Sequence, residues 1–292
     1  MLVTYIFCYS YFYRPSKREK SKFARFFSIM NSNACYNWKG CFNMTRILAI
    51  SDIHGELELL EELLIKVKFD ATQDQLILLG DYIDRGPASC GVLNIVAELQ
   101  ATGARVLLGN HEALMLKACR SGIPKAWNHW VSLCGGDATL ASYGFQAEDF
   151  EEAILTNTLP QYIQTLPKLE EHLQLIETFE MYIEFEDAIF VHGGVVPNVE
   201  LADSDPLQLL WIREEFHTGY QGEKTVIFGH TPTYKLHQDP TNYNVYFGEN
   251  NIIGIDGGAV FDGQLHALEW PNRHITSVAK QLKIDEPVNP LD

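Results

Sequence analysis

Five short segments place Asp, His, Asn and Glu close to glycine, each directly after an apolar run. Their sequences are DIHG at 52–55, GDYIDRG at 80–86, GNHE at 109–112, VHGG at 191–194 and FGHTP at 228–232. Carboxylate, imidazole and amide oxygen together suit manganese, iron or zinc, whereas magnesium prefers oxygen ligands alone. Two such ions about 3.5–4 Å apart can hold both the attacking and the leaving oxygen of a displacement at phosphorus. The residue types therefore indicate a two-metal centre for phosphoryl chemistry.

No single segment carries this interpretation. A D-x-H sequence after a strand fits an ordinary polar turn, and a lone histidine such as His192 or His230 fits a hydrogen-bonded structural role. Polar turns at strand ends do not require Asp, His and Asn in this order with glycines beside them. The functional interpretation therefore rests on the whole set, in which the glycines let backbone and substrate approach closely.

Hydrophobic periodicity predicts the elements that position these segments. Apolar runs at 47–50, 76–79 and 106–108 predict buried strands, and 57–67 and 92–99 have the spacing of helices. The metal-ligand candidates that follow the strands, Asp52, Asp81 and Asn110, are 29 residues apart each time. One strand–helix–strand unit takes about 30 residues. The carboxyl ends of parallel strands share one sheet edge, where ligands bind, so we expect these side chains to meet.

The second half of the chain is predicted to contain more strands, at 188–191, 225–228 and 252–255, with 264–270 alternating as an edge strand does. Between them and the first half we expect a loop-rich insert around Trp127, Trp130, Gly135 and Gly136, followed by helices within 155–179. We assign no chemistry to that insert. The chain after Pro271 is predicted to lie on the surface.

Together, D-x-H-G, G-D-x-x-D-R-G, G-N-H-E, H-G-G and G-H-T-P resemble the motifs of the metal-dependent phosphoprotein phosphatases, which are calcineurin-like metallophosphoesterases. The segments 211–213 and 255–259 are most similar to the bacteriophage lambda protein phosphatase and its bacterial relatives. The resemblance extends over about 44–270. It implies an α/β fold, a β-sandwich flanked by helices in four layers, αββα.

The resemblance also implies a role for each matching residue. Two divalent ions are expected, manganese first, with iron or zinc as alternatives. Their implied ligands are Asp52 and His54 for the first ion, Asp81 as the bridge, and Asn110, His192 and His230 for the second ion.

The implied catalytic residues lie beside these ligands. A hydroxide that bridges the metals would attack phosphorus, and His111 would protonate the departing alkoxide. Asp84 would orient His111 and favour its charged form. Arg85, Arg213 and Asn110 would bind the phosphate oxygens, although the short W-x-R motif also fits a surface arginine at position 213. Glu112 is expected to support the start of the helix that follows it.

The charge distribution excludes a general nucleic-acid binder. The net charge is −16; residues 1–43 carry seven basic and one acidic side chain, and the remainder 15 basic against 37 acidic. Nonspecific affinity for DNA or RNA depends on Lys and Arg that neutralise phosphates, so we expect no DNA partner. Metals and the two arginines are the expected local positive charge for a phosphate.

Residues 1–43 differ from the rest, with an aromatic run followed by a basic stretch. They are expected to be a disordered leader or an upstream extension, with a membrane-surface anchor as the alternative. The catalytic domain is predicted at 44–275 and a surface tail at 276–292. No apolar stretch approaches the roughly 20 residues that span a bilayer, so no membrane partner is expected. Six cysteines without C-x-x-C favour a reducing, cytoplasmic location.

The expected function is a serine/threonine protein phosphatase acting on phosphorylated protein. A symmetrical diadenosine tetraphosphatase shares the metal framework, but that group departs from D-R-G at Asp84 and favours Asp after G-N-H. Dinucleoside polyphosphates and RNA caps are therefore alternative substrates. A noncatalytic scaffold that binds phosphorylated partners is an alternative of another class; it would be free to lose a ligand or the acid, yet every expected position is filled.

Overall fold

The computed structural model describes residues 46–158, 160 and 166–280. The predicted leader at 1–43 and the end of the predicted tail lie outside these residues. No helix among the described residues is long and apolar enough to cross a membrane.

The first half of the described chain forms most of one five-stranded sheet, in the order β10-β9-β1-β2-β3. Strands β1 (Arg46–Ile50), β2 (Asp74–Leu78) and β3 (Arg105–Val106) are parallel. The crossovers contain helices α1 (Leu57–Lys66) and α2 (Ser89–Ala101), each with one apolar face buried. These are the strand–helix–strand units that the spacing predicted, and they bring three strand ends to one edge.

A second sheet of five strands has the order β4-β5-β6-β8-β7. Its central strands β5 (Ala188–Val191), β6 (Thr225–Phe228) and β8 (Ile252–Gly254) are parallel and almost wholly buried. The edge strands β4 (Tyr182–Glu184) and β7 (Tyr246–Phe247) pair antiparallel to them. Strands buried on both faces read as continuous apolar runs, which is why the sequence located the central ones and not the short edges.

The two sheets pack face to face around a shared apolar core. Ala49 and Leu268 from the first sheet and Phe190 and Ile253 from the second are each at most 2% exposed in this core. Helices cover the outer faces: α1 packs against β9 and β10, and Phe216 of α9 (Glu214–Gly219) meets Phe228 of β6 with ring centroids 5.0 Å apart. The predicted β-sandwich flanked by helices is confirmed.

The region predicted to be loop-rich is helical, which corrects that expectation. Its helices are α3 (Asn110–Arg120), α4 (Pro124–Leu133), α5 (Gly136–Ser142) and α6 (Glu148–Thr156). The helix predicted within 155–179 is confirmed as α7 (Pro167–Ile176). The glycines that suggested loops act at a helix start instead: Gly135 has φ +90° and caps α5. Trp127 and Trp130 are buried core residues of α4, with ring centroids 5.6 Å apart.

The chain after Pro271 is also different from the prediction. Strand β10 (His274–Ala279) pairs antiparallel with β9 (Gln264–Trp270), so β10 and not β9 is the edge of the first sheet. The fold thus extends past the predicted domain boundary at 275. The remaining α-helix among the described residues, α8 (Pro206–Trp211), is capped by Asp205, whose carboxylate accepts the amide of Leu207.

Candidate metal centre and active site

The strand ends that carry the candidate ligands turn sharply. Asp52, Asp81 and His230 adopt left-handed backbone conformations with φ of 55°, 57° and 62°. So do three neighbouring site candidates, listed here with their φ angles: His54 46°, Asp84 71° and Arg85 71°. Non-glycine residues rarely adopt this region, and such strain concentrates at functional sites. The turns aim side chains of both sheets into one cleft.

Asn110, His192 and His230 meet at one point. The Nε2 atom of His192 lies 2.8 Å from Oδ1 of Asn110, and Nδ1 of His230 lies 2.7 Å from the same oxygen. Asp81 joins them, because its Oδ1 is 3.3 Å from Nε2 of His192. All four residues are buried. The predicted set for a second ion is therefore assembled from β2, β5, β6 and the start of α3.

A second group forms on the other side of Asp81. Nε2 of His54 is 3.6 Å and Nε2 of His111 is 3.9 Å from Oδ2 of Asp81. Ligand atoms of His54, Asp81 and His111 lie within 4.8 Å of one another, as do those of Asp81, His192 and His230. The carboxylate of Asp81 thus faces both groups, one with each oxygen.

The ring orientations fit a bound cation. Nδ1 of His192 donates to the carbonyl oxygen of Leu79 at 2.8 Å, so the neutral ring presents a lone pair at Nε2 toward the carboxylate of Asp81. His54 is held in the same way, with Nδ1 donating to the Ile83 carbonyl at 2.7 Å. Backbone carbonyls commonly fix metal-binding histidines like this. Two acceptors that face each other across a buried gap need a positive charge between them, either a proton on Nε2 or a bound cation.

The charges of the cleft lead to the same conclusion. Burial favours the neutral form of His192, yet the carboxylates of Asp81 and Asp52 raise its pKa to about 9. Burial also raises the pKa of Asp52 well above its usual value, and the neighbouring carboxylates of Asp256 and Asp81 raise it further. The cleft therefore has an excess of buried negative charge, which divalent cations would neutralise.

Asp52 itself is placed differently from the other candidates. Its carboxylate accepts the backbone amide of His230, at 3.0 Å to Oδ2, and the hydroxyl of Ser51 at 2.5 Å. It is absent from both groups of converging His and Asp ligand atoms. In this structure Asp52 joins the first sheet to the turn after β6, and its role as a metal ligand stays a prediction.

His111 is bonded to Asp84 as the motif implied. Its Nδ1 donates to Oδ2 of Asp84 at 2.7 Å, and both residues are buried. Burial lowers the pKa of His111 to about 3, with Arg85 also lowering it against the carboxylate of Asp81. Burial likewise raises the pKa of Asp84 well above its usual value. Asp84 therefore orients His111, and its effect on the charge of the imidazole stays a prediction.

Two residues of the helical insert hold His111 and Asp84, which we call the acid pair, in place through Asp84. The indole Nε1 of Trp130 lies 3.0 Å from both carboxylate oxygens of Asp84, and the hydroxyl of Thr139 donates to Oδ1 at 2.7 Å. Sequence reasoning missed both, since neither lies in a motif. Buried tryptophan and threonine need polar partners, and that requirement was the only available signal.

The two arginines lie at the mouth of the cleft. The Nη1 and Nη2 atoms of Arg85 donate to Nε2 of His54 at 2.6 Å and to Nε2 of His111 at 2.8 Å. In this arrangement Arg85 supplies positive charge to the imidazoles. Arg213 donates to the hydroxyl of Thr231 at 3.3 Å. Desolvation lowers the pKa of Arg213 from its usual value, against the nearby carboxylates of Asp256 and Asp81, which raise it. Arg213 lies beside the cleft, and its role in binding phosphate stays a prediction.

Glu112 does more than support its own helix. Its carboxylate accepts the amides of Gly109 at 3.1 Å, Asp81 at 2.9 Å and Tyr82 at 2.8 Å. It therefore fixes the start of α3 against the turn that carries Asp81. Burial and the carboxylate of Asp81 raise the pKa of Glu112 to about 8.

A two-sheet sandwich with His, Asp and Asn at the facing strand ends defines a metal-dependent phosphoesterase. The calcineurin-like phosphoesterase family model matches residues 45–261, and the chain belongs to this family. The resemblance on the motifs is thereby confirmed at the level of the family.

Relatives of this chain differ in substrate. It is 30% identical over 230 residues to a serine/threonine-protein phosphatase 1 of Salmonella typhimurium, covering 76% of this chain and 91% of the relative. It is 26% identical over 272 residues to a symmetrical bis(5'-nucleosyl)-tetraphosphatase of Vibrio campbellii, covering 77% and 96%. A solved structure provisionally named a diadenosine tetraphosphatase matches with a TM-score of 0.57 at 22% identity, covering 82% of this chain and 95% of that one. The structural match supports the fold.

Proposed function

We propose that the chain hydrolyses phosphate monoesters of serine or threonine in proteins, with His111 as the general acid. The supporting observation is the 2.7 Å hydrogen bond from His111 to a fully buried Asp84. A serine alkoxide is a poor leaving group, and proton donation is typically worth about 10²–10⁴ in rate. An anhydride, whose leaving group is a phosphate, needs that proton far less. A well-ordered acid pair is therefore of most use on a monoester.

The chain's own residues prepare this reaction. Asp52, His54 and Asp81 would hold one divalent ion, and Asp81, Asn110, His192 and His230 the other. When bound, the ions supply an acidified water and neutralise charge on the phosphoryl oxygens. The mixed nitrogen and oxygen donors fit manganese, with iron or zinc as alternatives. Asp81 faces both groups of ligands and would fix their spacing.

The phosphate would be held by Arg213, Arg85 and Asn110. Arg213 is already at the open side of the cleft, whereas Arg85 donates to the two imidazoles and would have to turn toward the phosphate. That exchange would leave His111 free to face the leaving oxygen. The dianion would also favour the charged form of His111.

A substrate comparison tests the proposal. The full chain, loaded with manganese, is assayed on a phosphoserine peptide, p-nitrophenyl phosphate and diadenosine tetraphosphate. We expect the highest kcat/KM on the phosphopeptide. A large preference for the nucleotide would overturn the choice of substrate. Metal-loaded protein inert toward all three would favour a noncatalytic scaffold. A cytoplasmic location of this chain belongs to the same proposal.

Dinucleoside polyphosphates are the second candidate substrates, and RNA caps share their chemistry. The matches to relatives named as tetraphosphatases extend over 93% and 96% of those relatives' own length. A specific observation also favours them, namely the exposed ring of Phe261, whose centroid lies 5.3 Å from the guanidinium carbon of Arg85.

A further inference from the structure

His230 differs from the other histidines of the cleft in how its ring is held. Each of the others bonds through Nδ1 to a backbone carbonyl or a carboxylate and turns Nε2 toward Asp81; they are His54, His111 and His192. The ring of His230 is reversed, with Nδ1 2.7 Å from Oδ1 of Asn110. Its Nε2 is buried and bonds to none of the residues that the structure describes. The far side of this ring is therefore held by packing.

The indole of Trp211 packs against this imidazole. The two ring centroids are 5.6 Å apart and the ring planes are nearly perpendicular, at 86°. Aromatic pairs prefer such an edge-to-face arrangement, with centroids about 4.5–7 Å apart, and it stabilises them beyond the area that they bury. The ring of His192 also contacts the imidazole, with centroids 5.1 Å apart. His230 is thus packed against one predicted metal ligand and against one indole.

Helix α8 places this indole and is itself joined to the strand end that carries His192. Trp211 is the last residue of α8, and Leu210 before it is fully buried. The amide of Gly193 donates to the carbonyl of Leu209 at 2.8 Å. A Cβ atom at Gly193 would lie 2.8 Å from the backbone carbonyl carbon of Leu210, so the close approach of helix and turn requires glycine. The indole is therefore fixed relative to the turn after β5.

A second contact joins the same segment to the turn after β6. The guanidinium of Arg213, two residues after Trp211, donates to the hydroxyl of Thr231 at 3.3 Å, and Thr231 directly follows His230. The segment 211–213 thus meets two consecutive residues of that turn. The W-x-R sequence supplies one side chain for each contact, although a role was expected of its arginine alone.

We propose that Trp211 is a positioning residue for His230, whose imidazole it holds so that Nδ1 faces the other ligands of the second ion. The inference rests on the metal centre of the proposed function and adds to it a residue with no role so far. For His230, the edge-to-face indole takes the place of the carbonyl bond that fixes His192. Removal of a group that orients a metal-binding histidine typically costs about 10–100-fold in metal affinity. Loss of the indole should therefore weaken one of the two ions and spare the other.

Calorimetric titration of the metal-free full chain with Mn²⁺ tests this role without turnover. It yields a dissociation constant for each of the two ions, and His230→Gln identifies the ion that His230 binds, because that ion is weakened most. Trp211→Leu should weaken the same ion about tenfold and the other ion less than about twofold. Trp211→Phe keeps an aromatic ring and should return the affinity to within about threefold of that of the unaltered chain. Urea unfolding verifies that each variant is folded before the titration.

The matched control is Trp127→Leu, which removes a buried indole from α4. It should lower the free energy of unfolding and change neither manganese affinity. Unchanged affinities in Trp211→Leu, equal weakening of both ions, or a Trp211→Phe chain that binds no tighter than Trp211→Leu would overturn the positioning role. A chain with the expected affinities that cleaves no phosphoester would contradict the proposed function and leave the role of Trp211 standing.

Discussion

The indole nitrogen of Trp130 lies 3.0 Å from both oxygens of the Asp84 carboxylate, and so ties helix α4 to the acid pair. Asp84 in turn fixes His111. Trp130→Phe keeps the ring but removes the donor, and a hydrogen bond to a charged group is worth about 1.5–3 kcal/mol. We expect kcat on a phosphoserine peptide to fall about tenfold or more, with a smaller loss on p-nitrophenyl phosphate, whose leaving group needs little protonation.

Trp127 provides the matched control. It is as buried as Trp130, but its indole nitrogen has no hydrogen-bond partner among the described residues. Trp127→Phe should therefore leave the ratio of the two activities unchanged. Equal losses for both tryptophans would show that Trp130 contributes packing alone.

His111→Asn tests the acid directly. The substitution removes the proton donor but none of the predicted metal ligands, which are Asp52, His54, Asp81, Asn110, His192 and His230. Metal content should stay intact, and turnover of a phosphoserine peptide should fall about 10²–10⁴-fold. The measurement pairs elemental analysis with kcat on the same sample. Unchanged turnover on the peptide would remove His111 from this role.

Glu112 is predicted to control stability and the position of Asp81. Glu112→Ala leaves the amides of Gly109, Asp81 and Tyr82 without their acceptor, and each buried unpaired group costs about 1–3 kcal/mol. We expect the free energy of unfolding in urea to fall by about 3 kcal/mol or more. Glu112→Gln keeps one acceptor oxygen and should lose less. A loss of only about 1 kcal/mol in Glu112→Ala, which is the value of a helix cap, would contradict this account.

The sequence predicted the ligand-bearing strand ends because parallel strands must end at a common edge. Asp52, Asp81 and Asn110 repeat at the length of one strand–helix–strand unit, and the structure brings Asp81 and Asn110 together with His192 and His230 across two sheets. The pairing of the sheets is a long-range property that no local period contains. It came from the resemblance of the motifs and not from the periodicities.

The insert and the end of the chain show where local patterns fail. Helices α4 and α5 contain Trp130 and Thr139, whose importance depends on a carboxylate about fifty residues away, at Asp84. The residues of strand β10 alternate only weakly between apolar and polar, because β10 is an edge strand. It is recognised as a strand by its antiparallel pairing with β9. The left-handed turn at Arg85 is imposed by packing, since its amide donates to the carbonyl of Gly135 in the insert.

His172 predicts a pH dependence of stability away from the metal centre. The hydroxyl of Tyr143 contacts its Nδ1 at 2.5 Å, and burial, followed by Lys168, lowers its pKa from 6.5 to about 4. Between these values the unfolded chain binds the proton and the folded chain does not. The contribution of the neutral ring is therefore complete above the unfolded pKa and is lost progressively as the pH falls toward 4.

His172→Gln removes this titration. From neutral pH to pH 4, the unfolding free energy of the unaltered chain should fall by up to about 3 kcal/mol more than that of the variant. Urea unfolding at several pH values measures it. Parallel pH profiles for the two proteins would contradict the assignment to His172.

Electron paramagnetic resonance of the manganese-titrated full chain tests the central claim most directly. Because Asp81 faces both ligand groups, we predict a signal from two spin-coupled Mn²⁺ ions in each chain. The coupled signal should disappear in Asp81→Asn and persist in His172→Gln. Isolated, uncoupled manganese at saturation, or a coupled pair that survives Asp81→Asn, would contradict the two-ion centre.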